Sequence, residues 1–298
     1  MKVAVIGARG YVGRHLCAKL EQQGAAVLRY SAGEANGISR RTGLLPEGFA
    51  FPTGLDAVYF LAQSPHYRQM PEQSAHLLSV NCAAAVQAAE AARRAGAKRL
   101  VYASTGNVYA PSFEALAEDS PVRRDNWYSL SKVMAEDALT LYQAHLEIAV
   151  ARIFGVYGPS QEDKLVPSIV SKVRSGTELF VDRNPRDDMD HDGLKVSLIY
   201  IDDIVSCLIE LSSNSHRGPI NLAGSEVISV RDLAMSAGKV LEIEPKISLS
   251  NKYRDFDLIA ETSLSRWLFG DPRVTFEEGL KRVLLDFESP REQSIRVS

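Results

Sequence analysis

The chain has 298 residues, of which 45% are hydrophobic and 24% charged, as is usual for a soluble globular protein. Its formal net charge of -3 gives no electrostatic reason to expect nucleic acid or a membrane surface as a partner. The sequence has no apolar run near the ~18 residues of a membrane span and no signal-peptide pattern, and its three cysteines are dispersed. We therefore expect a cytoplasmic protein.

The chain opens with a strand, a glycine-rich turn and a helix. The predicted strand is Lys2–Ile6, and the turn that follows has the spacing G-x-x-G-x-x-G. Gly7 permits the sharp turn, Gly10 lets the backbone approach a pyrophosphate, and Gly13 allows close helix packing. The start of the helix, which ends at Gly24, offers free N–H groups to phosphates. This order predicts a dinucleotide-binding site.

The second predicted strand, residues 26–30, bears on the choice of cofactor. It ends without the carboxylate that binds the ribose 2′-hydroxyl in NAD-binding proteins, and Ser31 leaves room there for a 2′-phosphate. Arginines that could pair with such a phosphate are Arg9, Arg29, Arg40 and Arg41. Each could equally be a solvated surface residue. Together they favour NADP(H), with NAD(H) as the alternative.

Strands and helices then alternate. We predict further strands at residues 56–62, 98–104 and 149–155, with an alanine-rich helix from about 72 to 94. The segment 38–55 could hold a short strand around Phe49. This pattern predicts an α/β fold, a Rossmann-type doubly wound parallel sheet with helices on both faces. In such sheets the chemistry collects at the carboxyl ends of the strands.

The second half of the chain predicts a smaller C-terminal α/β substrate lobe. We expect residues 1–157 plus 197–224 to form the dinucleotide-binding domain and residues 158–196 plus 225–298 to form the lobe. The polar stretch 182–193 has the character of a long loop. Its acidic and histidine residues could be imagined as metal ligands, but such clusters are more often solvated, so we predict no metal site. The residues concerned are Asp188, Asp190, His191 and Asp192.

Tyr128 and Lys132 lie four positions apart in a predicted helix and therefore on one face of it. A tyrosine has a pKa near ~10, and a lysine ammonium one turn away favours the phenolate and makes proton transfer feasible. Alone, the pattern fits a surface helix with a lysine at its rim. Its place downstream of the glycine turn and of Thr105, at the end of a strand, favours a catalytic pair.

In this order the segments resemble the extended short-chain dehydrogenase/reductase family, in its nucleotide-sugar epimerase, dehydratase and ketoreductase branch. The resemblance covers nearly the whole chain. It is carried by the glycine turn at 7–13, the strand 56–62, Asn81, residues 101–109, the pair Tyr128 and Lys132, and residues 152–159, 199–203 and 219–224.

The resemblance implies roles for these residues. Tyr128 would be the general acid/base, Lys132 would hold the nicotinamide ribose and depress the tyrosine pKa, and Thr105 would hydrogen-bond the reacting oxygen. The cofactor-binding residues would be Gly7, Arg9, Gly10, Tyr11, Val12, Gly13, Arg29, Ser31, Leu61, Ala62, Asn81, Ala103, Tyr128, Lys132 and Phe154.

Departures from the family pattern restrict the reaction. Sugar 4,6-dehydratases of this branch carry Asp-Glu after the catalytic threonine, whereas this chain has Gly106 and Asn107, so we exclude that activity. Many epimerases hold the substrate diphosphate with asparagine and arginine where this chain has Gly155 and Val196; Lys195 is a possible substitute for that arginine.

We expect an NAD(P)-dependent 4-ketoreductase or 4-epimerase that acts on a secondary alcohol or ketone of a sugar-like substrate, a nucleotide sugar by preference. The alternative is a non-catalytic NADP-binding sensor, although sensors on this fold commonly lack the tyrosine–lysine pair. A homodimer is also expected, because the alanine-rich helix and the helix that carries Tyr128 have small or apolar outer positions.

Overall fold

The computed structural model describes residues 1–288. Strands and α-helices alternate through most of this range. The strands are β1 Lys2–Ile6, β2 Ala26–Tyr30, β3 Ala57–Phe60, β4 Arg99–Thr105, β5 Glu147–Ile153, β6 Gly155–Tyr157, β7 Leu179–Arg183, β8 Lys195–Tyr200, β9 Gly218–Leu222, β10 Val227–Ser229 and β11 Ile247–Tyr253. The helices are α1 Tyr11–Gln22, α2 Ser74–Leu78, α3 Ala84–Arg94, α4 Trp127–Thr140, α5 Leu165–Arg174, α6 Ile201–Leu211, α7 Val230–Leu241, α8 Ser263–Phe269 and α9 Phe276–Glu288.

The main sheet is parallel and has six strands in the order β2-β1-β3-β4-β5-β9. Successive side chains of β1 alternate between its two faces. Val3 and Val5 join a buried cluster that includes residues of α1 and α6. Ala4 and Ile6 join a second cluster that includes residues of α3 and α4. The predicted Rossmann-type doubly wound sheet is therefore confirmed.

Two smaller sheets lie in the C-terminal half. β8 pairs in parallel with β6 and antiparallel with β10, while β7 and β11 form a separate parallel pair. The predicted strand 149–155 is two elements, because β5 stays in the main sheet and β6 joins β8. The division of the chain into two domains stays a prediction.

The structure refines one sequence expectation and differs from another. The alanine-rich segment is helical throughout residues 74–94, as predicted, but it contains a π-helical turn, Ser79–Ala83, between α2 and α3 that the sequence did not indicate. The short strand expected around Phe49 does not form; instead the Phe49 ring packs edge-to-face on Tyr30 and Phe51, with ring centroids 5.4 and 4.9 Å away. Within residues 1–288, none of the helices has the length and apolar character to cross a bilayer.

Candidate active site

A cavity of about 1000 Å³ opens at the carboxyl ends of β1, β3 and β4, where the strand order of the main sheet reverses and ligands of such folds bind. All but two of the predicted site residues lie on its wall. They are Gly7, Arg9, Gly10, Tyr11, Val12, Gly13, Ser31, Leu61, Ala62, Ala103, Thr105, Tyr128, Lys132 and Phe154. Its volume is at the upper end for small-molecule sites, which leaves room for a cofactor and a substrate.

The glycine turn has the shape that a dinucleotide requires. Gly7 has a φ of +92°, and a Cβ atom there would lie 2.8 Å from the backbone nitrogen of Ala62. A Cβ at Gly13 would lie 2.1 Å from the carbonyl oxygen of Gly7, so the helix could not pack so closely with any other residue. No side chain caps the start of α1 at Gly10, so the turn suits a pyrophosphate.

Glu34, which the sequence analysis did not consider, provides a carboxylate near the end of β2. Its Oε2 accepts a hydrogen bond from the backbone N–H of Ser31 at 3.1 Å, and its Oε1 pairs with Nη2 of Arg9 at 2.7 Å. The chain folds back through a turn in which Gly33 has a φ of +84° and Gly37 lies too close to the Ser31 carbonyl for a Cβ. The acid therefore stands three residues beyond Ser31, where the usual motif would not locate it.

Two predicted cofactor-binding residues, Arg29 and Asn81, lie outside the cavity wall, and their contact with a cofactor stays a prediction. Arg29 is on the outer face of β2, and its guanidinium makes a bidentate ion pair with Glu21 of α1 at 2.7 and 2.8 Å. Asn81 is fully buried. It accepts from the Ser64 N–H at 3.1 Å and donates to the Ser131 hydroxyl at 3.0 Å. Asn81 thus fastens the loop after β3 to α4.

Lys132 is a buried residue of the cavity wall. Its Nζ donates to the carbonyl oxygen of Ala103 at 2.8 Å and lies 4.9 Å from the centroid of the Tyr102 ring. Burial lowers its pKa to about 8, and the carboxylate of Glu136, one turn along α4, opposes this shift. The Lys132 ammonium is therefore held at the end of β4 by backbone rather than by Tyr128.

Tyr128 reaches the same cavity from the first turn of α4, which Asn126 caps by accepting from the Ser129 N–H at 2.9 Å. The Tyr128 hydroxyl donates to Oε1 of Gln63 at 3.2 Å. Burial raises the pKa of Tyr128 to about 12, and the Thr105 hydroxyl acts in the opposite direction. The expected depression of this pKa by Lys132 is not found, because the ammonium is directed at Ala103.

Thr105 closes β4 beside the tyrosine. Its Oγ1 accepts hydrogen bonds from the backbone N–H and from the side-chain amide of Asn107, both at 3.2 Å. With its oxygen occupied as an acceptor, the threonine hydroxyl keeps its hydrogen for a substrate oxygen. Asn107 therefore orients Thr105 instead of supplying the carboxylate that a dehydratase would need.

Polar wall residues that sequence reasoning missed include Gln63, Gln161 and Lys164. Gln63 follows β3 directly, so its position at a strand end could have indicated it. Gln161 and Lys164 lie before α5 in a part of the chain without a recognisable pattern. The loop residue Asp190 is not a free ligand, since it pairs with Arg254 at 2.6 Å. The described residues contain no His, Cys, Asp or Glu group arranged to hold a metal.

Comparison with known proteins agrees with this geometry. Residues 3–223 match the NAD dependent epimerase/dehydratase family. UDP-glucuronic acid decarboxylase 1 of Arabidopsis thaliana is 25% identical over 97% of this chain and 70% of that protein. dTDP-4-dehydro-6-deoxy-D-allose reductase of Streptomyces bikiniensis is 26% identical over 83% of each.

Among solved structures, the UDP-glucose 4-epimerase of Thermus thermophilus, in complex with NAD, aligns with a TM-score of 0.75 and 23% identity over 97% of this chain and 100% of that one. This likeness shows the fold. The family match extends over most of the chain, from the first strand to the end of the main sheet. The chain therefore belongs to the NAD dependent epimerase/dehydratase family, and so to the extended short-chain dehydrogenase/reductase enzymes.

Proposed function

We propose that this enzyme is an NAD(H)-dependent ketoreductase that interconverts a ketone and a secondary alcohol. The observation that carries the proposal is the meeting of Thr105, Tyr128 and Lys132 on the wall of one cavity with the glycine turn. A dinucleotide-binding sensor would need the turn alone. The three polar groups supply what hydride transfer to a carbonyl requires besides the hydride.

Three side chains have different roles around the substrate oxygen and the cofactor. When bound, NAD(H) would supply the hydride to the carbonyl carbon. The Tyr128 hydroxyl, which otherwise donates to Gln63, donates its proton to the oxygen that becomes the alcohol. The Thr105 hydroxyl donates a second hydrogen bond and stabilises the negative charge that develops there. Lys132 of α4, whose ammonium lies at the end of β4, would hold the nicotinamide ribose.

The protonation state of Tyr128 is the one that the acid of a reduction requires. With a pKa of about 12, the phenol is protonated at neutral pH and is ready to act as an acid. A 4-epimerase would use the same groups but would begin by oxidation and keep its cofactor through the cycle. Mass spectrometry of the cofactor released from native protein separates the two, since an epimerase retains it and a reductase exchanges it. A 4,6-dehydratase finds no support, because Gly106 and Asn107 supply no carboxylate.

For the cofactor we propose NAD(H) in place of the NADP(H) that the sequence favoured. Glu34 is not itself on the cavity wall, but it is paired with Arg9, which is. Its carboxylate would repel a 2′-phosphate bound there and could accept from a ribose 2′-hydroxyl. Of the two arginines on this part of the cavity wall, Arg9 is paired with Glu34 at 2.7 Å and Arg40 lies against Gly33 of the same turn. Arg29 pairs with Glu21 outside the wall. NAD is also the cofactor named for the Thermus thermophilus epimerase.

For the reacting group we propose a secondary alcohol or ketone. The names of the compared proteins specify nucleotide sugars for those proteins, and the sequence favoured the same class. We do not extend the proposal to the nucleotide, because the positions that hold the diphosphate in many such enzymes are Gly155 and Val196 here.

A homodimer through α3 and α4 is also proposed. Three large apolar side chains on or just after α4 are exposed in the single chain: Trp127 by 39%, Met134 by 42% and Leu141 by 82%. A second copy related by a two-fold axis would cover them.

The catalytic proposal is tested with Tyr128→Phe, which keeps the ring and removes the transferable proton. We expect NADH binding, followed by fluorescence, to stay within about threefold of the wild type. Reduction of the ketone should fall by about 10²- to 10⁴-fold. Tyr142→Phe is the matched control, because Tyr142 follows α4 outside the cavity wall. Near-normal turnover of Tyr128→Phe would contradict the mechanism.

A further inference from the structure

Beyond the catalytic groups, the cavity ends in a region that we call the lobe end, formed by β6, β8, the start of α5 and Leu258. Its wall is largely apolar. The apolar side chains are Phe154, Val156, Leu194, Val196, Leu198 and Leu258. Three strand or near-strand segments contribute them, and they also pack into the buried clusters of the protein. They are a fixed surface that cannot turn away from a ligand.

The positive charges of the cavity are almost all elsewhere. Among the residues that the structure describes, the lysines and arginines on the cavity wall are Arg9, Arg40, Lys132 and Lys164. Arg9 pairs with Glu34 near the end of β2, Arg40 lies against Gly33 of the same turn, and Lys132 is under the catalytic groups. Lys164 alone belongs to the lobe end, and its ammonium donates to the Tyr67 hydroxyl at 3.1 Å.

Two cations close in the chain to this end are already neutralised: Lys195, which begins β8, and Arg254, four residues before Leu258. Arg254 is 6% exposed and pairs with Asp190 at 2.6 Å and with Asp257 at 2.9 Å. Lys195 pairs with Asp190 at 3.0 Å. Neither side chain is on the cavity wall. A diphosphate placed at the lobe end would therefore lose water and meet Lys164 as the single cation that the described cavity wall offers there.

Gln161 places a hydrogen-bond acceptor on this otherwise largely apolar wall. It is 8% exposed and lies on the cavity wall. Its Nε2 donates to the Val156 carbonyl at 2.9 Å, which fixes the orientation of the amide. Its Oε1 is buried and has no hydrogen-bond partner among the described residues. This oxygen can only accept, so it suits a ligand hydroxyl or N–H and repels a phosphate oxygen.

We infer that the substrate is a ketone or secondary alcohol whose reacting carbon bears an apolar group with one hydrogen-bond donor, and that it carries no nucleoside diphosphate. This inference rests on the proposed function for the position of the reacting oxygen. The apolar group lies on the lobe end, and its donor meets Oε1 of Gln161.

The first experiment titrates 2-alkanones of about five to about ten carbons by calorimetry into the NAD-loaded protein, because a ketone and the oxidised cofactor cannot react with each other. Each added methylene should tighten binding by up to about fourfold until the wall is covered. A flat series overturns the inference. In parallel, UDP and UDP-glucose are titrated by calorimetry into the NAD-loaded protein. We expect no binding tighter than about 1 mM, and a Kd of about 100 µM or below overturns the inference.

A matched pair of variants assigns the effect to the wall. Val196→Thr exchanges a methyl group for a hydroxyl on the lobe end, and Val181→Thr makes the same exchange at a buried strand position outside the cavity. Val196→Thr should weaken the binding of the longest alkanones by about fourfold, and Val181→Thr should leave their affinity unchanged. Equal losses in both variants would show that the effect comes from destabilisation and would overturn the assignment.

The substrate class and the reaction fail in distinguishable ways. Tyr128→Phe should keep the chain-length series, because the apolar wall does not depend on that hydroxyl. A chain-length series in the wild type without any Tyr128-dependent turnover would reject the ketoreductase and leave the substrate class standing. Tyr128-dependent turnover of UDP-glucose would support the proposed catalytic role of Tyr128 and reject the inferred substrate class.

Discussion

Exchange of Glu34 for glutamine tests the choice between NAD(H) and NADP(H). In the wild type the Glu34 carboxylate accepts from the backbone of Ser31 and holds Arg9 at 2.7 Å. Glu34→Gln removes the charge that would repel a 2′-phosphate and releases the arginine toward the cavity that it lines. The variant should therefore gain affinity for NADP(H) and lose affinity for NAD(H).

The size of the change follows from the exposure of the pair. Arg9 and Glu34 are 73% and 36% exposed, so the pair adds little to the stability of the fold and the variant should fold normally. A buried arginine–phosphate pair strengthens binding by roughly 10- to 150-fold. Since Arg9 is well solvated, we expect the lower end, about tenfold for NADPH. A comparable loss for NADH would shift the preference by about 100-fold.

Calorimetric titration of NADH and NADPH into the wild type and the variant measures this shift. Glu21→Gln is the matched control, because it releases Arg29 in the same way on the outer face of β2, outside the cavity wall. The wild type should prefer NADH, and Glu21→Gln should keep that preference. A wild-type preference for NADPH, or an equal shift in both variants, would refute the reasoning.

Three further outcomes are expected. Thr105→Val should lower kcat by about 10²-fold with little change in NADH affinity; an unchanged kcat would exclude its role as a donor. Because burial lowers the pKa of Lys132 from 10.5 to about 8, the folded protein binds fewer protons than the unfolded chain between these values, so wild-type stability rises with pH there. In urea unfolding, any stability advantage of Lys132→Met should shrink from about pH 8 to about pH 10; a constant difference would contradict the shift. Leu141→Lys should yield a monomer by light scattering, whereas Met235→Lys, at an exposed position of α7, should remain a dimer. If both variants were dimers, the proposed contact would be excluded.

The parts of the site that could be predicted are those fixed by local backbone geometry. The glycine turn could be predicted from Gly7 and Gly13, because no other residue fits where the strand meets the helix. Tyr128 and Lys132 share a helix face by their spacing alone. The parallel sheet follows from the alternation of apolar strands and helices. Each inference needed only a few neighbouring residues.

The partners of charged and polar side chains could not be predicted in this way, because they depend on long-range packing. Arg9 and Arg29 have the same chemistry, yet Arg9 lines the cavity and Arg29 crosses to α1. Asn81 lies where the family resemblance implies a cofactor-binding residue, but its side-chain amide is hydrogen-bonded to Ser64 and Ser131.

The tyrosine–lysine pair shows most clearly why sequence spacing does not determine electrostatics. A spacing of four places both side chains on one face of α4, but the Lys132 ammonium finds the Ala103 carbonyl at 2.8 Å at the end of β4. The charge is therefore satisfied by backbone, and burial governs the pKa of Tyr128. A protonated tyrosine with a threonine donor beside it is suited to protonate an oxygen during reduction. The charge environment of Tyr128 thus depends on where β4 ends, which only the fold determines.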